Sequence, residues 1–332
     1  MGFYRGRTVL VTGGTGMIGR ALVSLLQTAG AKVRVTSLDD PSLALEDVEF
    51  LRADLREFSN CRRVCAEYSL VFHLAGVRGS PALTGRRPAS FMVPSLMVNT
   101  NMMEAARQAG VQRYLFTSTV GVYAPAEVFR EDDVWKTFPS PHDWFAGWAK
   151  RMGELQADAY RVEYGWDKIS IVRPANVYGP YDAFNTPNAM VVPSLIRRAV
   201  GGENPLTVWG DGSQIRDFIH ARDVARGMMQ AVEMGINEPL NLGSGQGISI
   251  REVAELVTAA AGGGDIVWDT SKPTGDARRL MDVGRAERYG IRPQITMAEG
   301  ISETVAWYRE HRQTDRLMYN AFTETALVPG ER

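Results

Sequence analysis

The sequence contains few of the residues that build metal sites and disulfide frameworks. It has only two cysteines, Cys61 and Cys65, and four scattered histidines in 332 residues. Because no metal-ligand spacing joins them, we predict no metal site and two reduced thiols, as in a cytoplasmic protein. No apolar run approaches the ~20 residues that a membrane helix requires, and no secretory leader is recognisable. We therefore expect a cytoplasmic chain without membrane contact.

Neither sign of charge predominates in the sequence. Lys and Arg total 37 and Asp and Glu total 38, which gives a formal net charge of −1. A neutral chain lacks the basic surface that nucleic acid or an anionic membrane attracts, so we predict neither partner. The sequence is 45% hydrophobic and 23% charged, which is typical of a folded globular protein.

Short β-branched runs alternate with helical patterns in the first half of the chain. We predict strands at 8–12, 32–36, 48–51, 69–74, 113–117 and 169–172. Strands that alternate with helices are typical of βαβ units, so the predicted fold class is α/β, with a doubly wound parallel sheet. After about residue 176, glycine and proline become frequent and the elements shorten. This change predicts a smaller α+β lobe packed on the first.

A glycine-rich turn follows the first predicted strand. Gly13, Gly16 and Gly19 have the spacing G-x-x-G-x-x-G, and Met17 and Ile18 begin an amphipathic helix. In this context the first glycine permits a tight turn, the second lets the backbone approach a pyrophosphate, and the third lets helix and strand pack closely. The phosphate would lie at the helix N-terminus. We therefore predict a dinucleotide site rather than a plain glycine-rich turn.

The end of the second predicted strand bears on the choice between NAD and NADP. Ser37 stands where an acidic residue would bind the adenosine ribose of NAD, and Asp39 is the nearest good carboxylate. No Lys or Arg follows closely, which favours NAD without excluding NADP. A solvated turn before Pro41 is the alternative interpretation of Asp39.

An ordered set of motifs carries a resemblance to a known family. After the glycine turn come ADLR at 53–56, HLAG at 73–76, TSTVGVY at 117–123, RPANVYGP at 173–180, GDGSQIRDF at 210–218 and NLGSG at 241–245. Together they resemble the extended short-chain dehydrogenase/reductases, the NAD-dependent epimerase/dehydratase family, from the first strand to about Trp307. The segments 208–210 and 272–279 are most similar to the GDP-sugar members of that family.

The resemblance implies two lobes, each of which binds a different ligand. Residues 1–175, with returns near 217–242, would form the NAD(P)-binding Rossmann domain, and residues 176–332 would mainly bind a nucleotide-sugar. In the family, the helix that includes Asn101 and the helix that carries Lys150 form a four-helix interface, so a homodimer is implied.

The resemblance also implies which residues contact the ligands. The cofactor would be bound by the glycine turn and Asp39, together with Asp54, Leu55, Leu74, Ala75 and Lys150. The nucleotide-sugar would be bound by Arg78, Thr119, Asn176, Arg216, Lys272 and Arg278. The guanidinium of Arg216 suits a pyrophosphate because it can donate two parallel hydrogen bonds. For Arg216 the alternative is an ion pair with Asp217, and for Lys272 and Arg278 it is a solvated basic face.

The catalytic set of the family is incomplete in this sequence. Thr119 and Lys150 match the family's hydroxyl and lysine, but the position of its tyrosine acid/base is Ala146. Alanine carries no proton that it could transfer. Either Ala146 is an inactivating substitution, or another group replaces the phenol. For the second account Tyr181 is the better candidate, because Tyr123 follows a Val-rich strand and is more typical of packed core.

Further departures narrow the expected reaction. Family members that epimerise the sugar at C3 and C5 use a cysteine and a histidine, where this sequence has Gly121 and Tyr181. Dehydratases and decarboxylases of the family have an acidic residue where this sequence has Val120. The remaining prediction is hydride chemistry at one carbon, either C4 epimerisation or reduction of a 4-keto sugar. NAD or NADP would be the cofactor and a GDP-linked sugar the substrate. The alternative is a catalytically silent NAD-binding protein that acts as a sensor or scaffold.

Overall fold

The fold is taken from a computed structural model of the chain. It describes residues 2–77, 79, 81–184, 189–272, 276–312, 318–320 and 322. Arg78, which the sequence assigns to the substrate site, lies outside the described residues.

The central element is a seven-stranded sheet in which every neighbouring pair is parallel. Its spatial order is β11-β7-β5-β4-β1-β2-β3. The strands of the chain are β1 (Thr8–Thr12), β2 (Lys32–Ser37), β3 (Glu49–Arg52), β4 (Leu70–His73), β5 (Arg113–Thr117), β6 (Val128–Phe129), β7 (Ile169–Pro174), β8 (Asn176–Tyr178), β9 (Leu206–Trp209), β10 (Ile215–His220), β11 (Leu240–Leu242), β12 (Gly247–Ser249), β13 (Ile266–Asp269) and β14 (Arg278–Met281). The strand order reverses beside β1, which opens a crevice at the carboxyl ends of β1, β2 and β4.

Helices cover both faces of this sheet. The helices are α1 (Met17–Thr28), α2 (Phe58–Cys65), α3 (Pro81–Arg86), α4 (Pro88–Gln108), α5 (Trp144–Tyr164), α6 (Val191–Val200), α7 (Ala221–Met234), α8 (Ile250–Ala261), α9 (Gly284–Arg288) and α10 (Met297–Glu310). Helix α1 packs beside α7, whereas α4 packs beside α2 and α5. Along β1, Val9 and Val11 face helices α1 and α7, whereas Leu10 faces the side of α2, α4 and α5. This alternation is expected because successive side chains of a strand point to opposite faces. The predicted doubly wound fold is confirmed.

A smaller unit lies against the carboxyl end of the large sheet. Its sheet has the order β12-β10-β14-β6, with β8 paired to β10, and a separate ribbon joins β9 to β13. Helices α6, α8 and α10 pack on one another around a third apolar cluster that includes Val192, Val253 and Ile301. Strand β6 comes from the first half of the chain, so the two units are interleaved through it. The domain boundaries at 175 and 176 stay a prediction.

Candidate active site

The glycine turn between β1 and α1 is closely packed from both sides. Gly13 has φ of +69°, and a Cβ on it would lie 2.9 Å from the backbone nitrogen of Ala75. A Cβ on Gly19 would collide with the carbonyl oxygen of Gly13. Gly16 caps α1, whose first turn contains Met17 and Ile18 and no acidic residue. This cradle fits a dinucleotide pyrophosphate, because it lets the ligand approach backbone N–H groups at a helix N-terminus.

The loop after β4 forms the opposite wall of the crevice. The backbone N–H groups of Leu74 and Ala75 donate to the hydroxyl of Thr12 at 3.1 and 3.0 Å. The same hydroxyl lies 2.8 Å from Nδ1 of His73, whose Nε2 lies 3.2 Å from Oδ1 of Asn99. Burial lowers the pKa of His73 to about 3. This neutral histidine therefore has a structural role, because its hydrogen bonds hold the loop after β4 beside Gly13.

Asp39 lies at the end of the crevice where the sequence places the adenosine ribose. It is 4% exposed, and its Oδ2 accepts a hydrogen bond of 2.6 Å from the hydroxyl of Thr15 in the glycine turn. Asp40, in contrast, is exposed and caps the short turn that follows. The solvated-turn interpretation therefore applies to Asp40 and not to Asp39.

Asp54 and Leu55 follow β3 at the same end of the crevice, and both are buried. The carboxylate of Asp54 accepts a forked set of hydrogen bonds from the guanidinium of Arg56, between 2.5 and 3.0 Å. Arg56 thus holds the Asp54 side chain in place. This local pairing of residues i and i+2 is not apparent from the motif alone.

Lys150, on helix α5, and Thr119, in the segment after β5, lie near the loop that follows β4. Lys150 Nζ donates to the carbonyl oxygen of Thr117 at 2.8 Å, and it lies 3.9 Å from the point that a Cβ on Gly76 would occupy. Burial lowers the pKa of Lys150 to about 8, and the carboxylate of Glu154 partly opposes this shift. The hydroxyl of Thr119 accepts from the Gly121 N–H at 3.2 Å. The two residues that the motifs predict to be catalytic are therefore on adjoining segments at the carboxyl end of β5.

Ala146 lies in the first turn of α5, one helical turn before Lys150. The start of this helix is pressed on the segment after β5, because a Cβ on Gly147 would collide with the carbonyl oxygen of Gly121 and lie 2.5 Å from Cβ of Pro139. Residues four apart on a helix share a face. A side chain at 146 would thus emerge on the face of α5 that carries Lys150.

Asp143 lies beside the predicted site residue Thr119 and was not predicted from the sequence. Its Cγ lies 3.4 Å from the point that a Cβ on Gly121 would occupy, and the Thr119 methyl lies 3.5 Å from the same point. Its carboxylate also lies 3.6 Å from the guanidinium of Arg279. The sequence feature that could have indicated it is its position three residues before Ala146, at the start of α5.

The two candidate tyrosines have different surroundings. Tyr123 is buried, donates to Oδ1 of Asn241 at 2.5 Å and accepts from Arg173 at 3.0 Å, and burial raises the pKa of its phenol. It is packed core, as predicted. The ring of Tyr181 instead lies between Arg20, 3.8 Å from its centroid, and Trp307, 4.5 Å between centroids. The proposed role of Tyr181 as the replacement acid/base stays a prediction.

Strands β10 and β14 place two arginines side by side in the smaller unit. Arg216 is opposite Arg279 in their parallel register, and the pKa of Arg216 is lowered, first by burial and then by the charge of Arg279. Asp217 points away from this pair. Its carboxylate accepts from the backbone N–H groups of Ser244, Gly245 and Met281. The alternative of an ion pair between Arg216 and Asp217 is thereby excluded.

The remaining predicted substrate residues differ in exposure. The side-chain amide of Asn176 donates to the carbonyl oxygen of Asp217 at 2.8 Å, joining β8 to β10. Lys272 and Arg278 are exposed, and Lys272 Nζ lies 6.0 Å from the ring centroid of the exposed Trp209. Within the described ranges, no cluster of three or more His, Cys, Asp or Glu could hold a metal ion, and no helix is long and apolar enough to cross a membrane.

The sheet, the glycine cradle and the enclosed lysine define a dinucleotide-dependent enzyme of the short-chain dehydrogenase type. The sequence profile of the NAD dependent epimerase/dehydratase family matches residues 9–243. The chain belongs to this family, as the motifs predicted, and is an NAD(P)-dependent enzyme of the epimerase/reductase kind.

Individual relatives extend the similarity over nearly the whole chain. GDP-L-fucose synthase 1 of Arabidopsis thaliana is 33% identical over 310 residues, covering 90% of this chain and 92% of that protein. The dTDP-4-dehydro-6-deoxy-D-allose reductase of a Streptomyces species is 32% identical, covering 93% and 98%. Among solved structures, the UDP-glucose 4-epimerase of Thermotoga maritima has a TM-score of 0.80 at 28% identity, covering 92% and 100%.

Proposed function

We propose that the protein transfers a hydride between NAD(P) and one carbon of a nucleotide-linked sugar, with C4 as the reacting carbon. The observation that carries this proposal is the contact of Lys150 with Thr117, two residues before Thr119, and with the Gly76 position in the loop that also packs on the glycine cradle. When bound, the dinucleotide accepts or supplies the hydride. Position 4 is supported by the relatives, one named as a 4-dehydro-sugar reductase and one as a 4-epimerase.

Three residues of the chain would bind the reacting sugar oxygen and transfer its proton. Thr119 would bind the sugar oxygen through its hydroxyl. Lys150 would hold a positive charge next to it, and its pKa of about 8 lets this amine exchange a proton near neutral pH. Tyr181 would supply the phenol, provided that its ring leaves Arg20 and Trp307 when substrate binds.

Arg216 and Arg279 form the proposed diphosphate site of the smaller unit. Paired guanidinium groups suit phosphate oxygens, because each can donate two hydrogen bonds. Lys272 and the exposed ring of Trp209 would receive the base, with guanine proposed from the similarity to a GDP-L-fucose synthase. Binding of GDP, UDP and dTDP to the purified protein tests this choice, and equal affinity for all three would reject it.

Asp39 supports NAD as the cofactor, because a buried carboxylate can accept hydrogen bonds from ribose hydroxyls and would repel a 2′-phosphate. A direct comparison of NAD and NADP affinities tests this choice. A tighter complex with NADP would overturn it.

The test of the proposed reaction is turnover of a panel of nucleotide-sugars with NAD and NADH, measured for the wild type and for Tyr181→Phe. We expect the wild type to convert at least one sugar and the variant to lose most of that rate. Equal rates would reject the role of Tyr181 and leave the reaction itself intact. Mass spectrometry of ligands that co-purify would identify cofactor and nucleotide together.

A second candidate function follows from Ala146, which removes the proton-carrying side chain from the face of α5 that carries Lys150. In this account the chain keeps its cofactor site and acts as a sensor or scaffold. Tight NAD binding without conversion of any sugar, even in Ala146→Tyr, would support it.

A homodimer is also proposed, through α4 and α5. Both helices carry apolar side chains in solvent: Val93 and Met97 on α4 are 53% and 41% exposed, and Leu155 and Val162 on α5 are 49% and 88% exposed. The spacings of four and seven residues place each pair on one side of its helix. A second copy of the chain would cover this surface.

A further inference from the structure

Two described residues that follow α10, Tyr319 and Phe322, lie against the first lobe. The backbone N–H of Tyr319 donates to Oδ1 of Asp39 at 2.7 Å. Asp39 is the residue to which the ribose of the cofactor is assigned above. The segment that contains Tyr319 thus reaches the adenosine end of the crevice.

The Tyr319 side chain contacts the same region. The pKa of Arg56 is raised chiefly by its hydrogen bonds to Asp54 and also, to a smaller extent, by a hydrogen bond with Tyr319. Arg56 follows β3, and Asp54 and Leu55 precede it directly. Tyr319 therefore links the residues that follow β2 with those that follow β3.

Phe322 fixes the segment on the other side of the crevice. It is 9% exposed, its carbonyl oxygen accepts from Arg87 at 2.6 Å, and its ring lies 5.3 Å from the same guanidinium. A Cβ on Gly79, in the loop after β4, would lie 3.3 Å from the ring. The backbone N–H of Phe322 donates to Oδ1 of Asn320 at 3.0 Å, so these two described residues are also joined to each other.

These contacts span the crevice from one rim to the other. In the sheet order β4-β1-β2-β3, Asp39 and Arg56 lie beyond β2 and β3, and Gly79 lies beyond β4. The dinucleotide of such a fold binds at the carboxyl ends of these strands. We propose that Tyr319, Asn320 and Phe322 form the outer wall of the adenosine half of the cofactor site.

A wall at this place has a physical consequence for binding. Tyr319 and Phe322 are held by Asp39 and Arg87 at the edges of the crevice. They therefore do not form part of the glycine cradle, which consists of Gly13, Gly19 and Ala75. Enclosing the carboxylate of Asp39 excludes water and strengthens the hydrogen bonds that it accepts. A cofactor held beneath the segment can dissociate only after Phe322 leaves its position, so the wall slows release as well as increasing affinity.

The inference rests on the proposed cofactor site, but not on the proposed reaction, because binding requires no turnover. The test measures the dissociation constant and the dissociation rate of NAD and of ADP-ribose in the full-length protein. The variants are Phe322→Ala, Phe322→Leu and Tyr319→Pro, which removes the N–H that bonds to Asp39. Phe138→Ala, which removes an exposed ring elsewhere (66% exposed), is the matched control.

We expect Phe322→Ala and Tyr319→Pro to weaken both ligands by roughly tenfold and to speed their release, with Phe322→Leu in between and Phe138→Ala unchanged. ADP-ribose must follow NAD, because the wall contacts only the adenosine half. Unchanged affinity and release would overturn the proposal, and so would tighter binding, which would make the segment a competitor of the cofactor. Failure of the wild type to bind either ligand would instead overturn the cofactor site itself.

Discussion

Lys150 Nζ and the carbonyl oxygen of Thr117 are 2.8 Å apart, joined by a hydrogen bond from helix α5 to the end of strand β5. This bond holds the ammonium group at the crevice whether or not residue 146 carries a phenol. The site therefore keeps its cation and its hydroxyl residue, Thr119, although the usual proton carrier is missing.

Because of Lys150, the free energy of unfolding should change with pH in the alkaline range. Its pKa is lowered by burial from an ordinary 10.5 to about 8. Between these two values the unfolded chain holds the proton and the folded chain has released it, so the free energy of unfolding receives a contribution that rises with pH. Below pH 8 the cost of burying the charge is fully present. Urea unfolding at pH 7 and pH 9.5 should show this rise in the wild type and not in Lys150→Met, and identical pH dependence in both would contradict the account.

Glu154 and Arg173 form an ion pair with 1% and 0% exposed side chains, 2.6 Å apart. Glu154→Gln should lower the free energy of unfolding by about 3–5 kcal/mol, because it leaves the guanidinium buried without its charge partner. Asp133→Asn, in an exposed pair with Lys136, should change it by less than about 0.5 kcal/mol. Denaturant titration of both variants measures this difference, and a similar small effect in both would show that the buried pair is not needed.

Gly147 allows α5 to approach the segment after β5. Gly147→Ala should destabilise the fold by about 1–3 kcal/mol, because its methyl group would overlap the carbonyl oxygen of Gly121. Gly85→Ala is the matched control, since Gly85 is also helical and has nothing within 4 Å of its Cβ position. That control should be neutral or stabilising by up to about 1 kcal/mol. Equal midpoints of thermal unfolding for the two variants would refute the close approach.

The proposed homodimer predicts an effect of charge on α5. Leu155→Arg should convert a dimer to a monomer, because it buries an unpaired charge at the interface. Val267→Arg, on β13 and similarly exposed at 47%, should leave the dimer intact. Light scattering coupled to gel filtration reads the mass directly. A monomeric wild type, or a dimeric Leu155→Arg, would reject this interface.

Much of the large sheet is predictable from the sequence, because its signals are local. Strands β1 and β5 have the predicted bounds. The smaller unit is less predictable. Its β6 is only two residues long and is defined by pairing with β14, a contact between distant parts of the chain that no local pattern encodes.

The candidate site divides in the same way. The glycine turn and Lys150 can be predicted because each belongs to a contiguous motif. Asp143 beside Gly121, and Tyr319 beside Asp39, could not be predicted, since both contacts arise from how separate segments pack. The buried state of Asp39 also depends on tertiary structure, which the local turn pattern before Pro41 does not convey.

The central claim, hydride transfer to a sugar carbon at the Lys150 site, is tested most directly by isotope transfer. Deuterated NADH would be incubated with 4-keto nucleotide-sugars and either the wild type or Ala146→Tyr, and the products examined by mass spectrometry and NMR. Phe145→Tyr, which adds a phenol one residue away, is the control. We predict that the wild type already places deuterium at C4 of the sugar and that Phe145→Tyr does so at a similar rate, because Tyr181 remains to supply the proton in both. A rate in Ala146→Tyr about 10²-fold or more above that of Phe145→Tyr would instead show that the general acid had been missing. Absence of deuterium from the sugar with every protein, while NADH remains bound, would contradict the account.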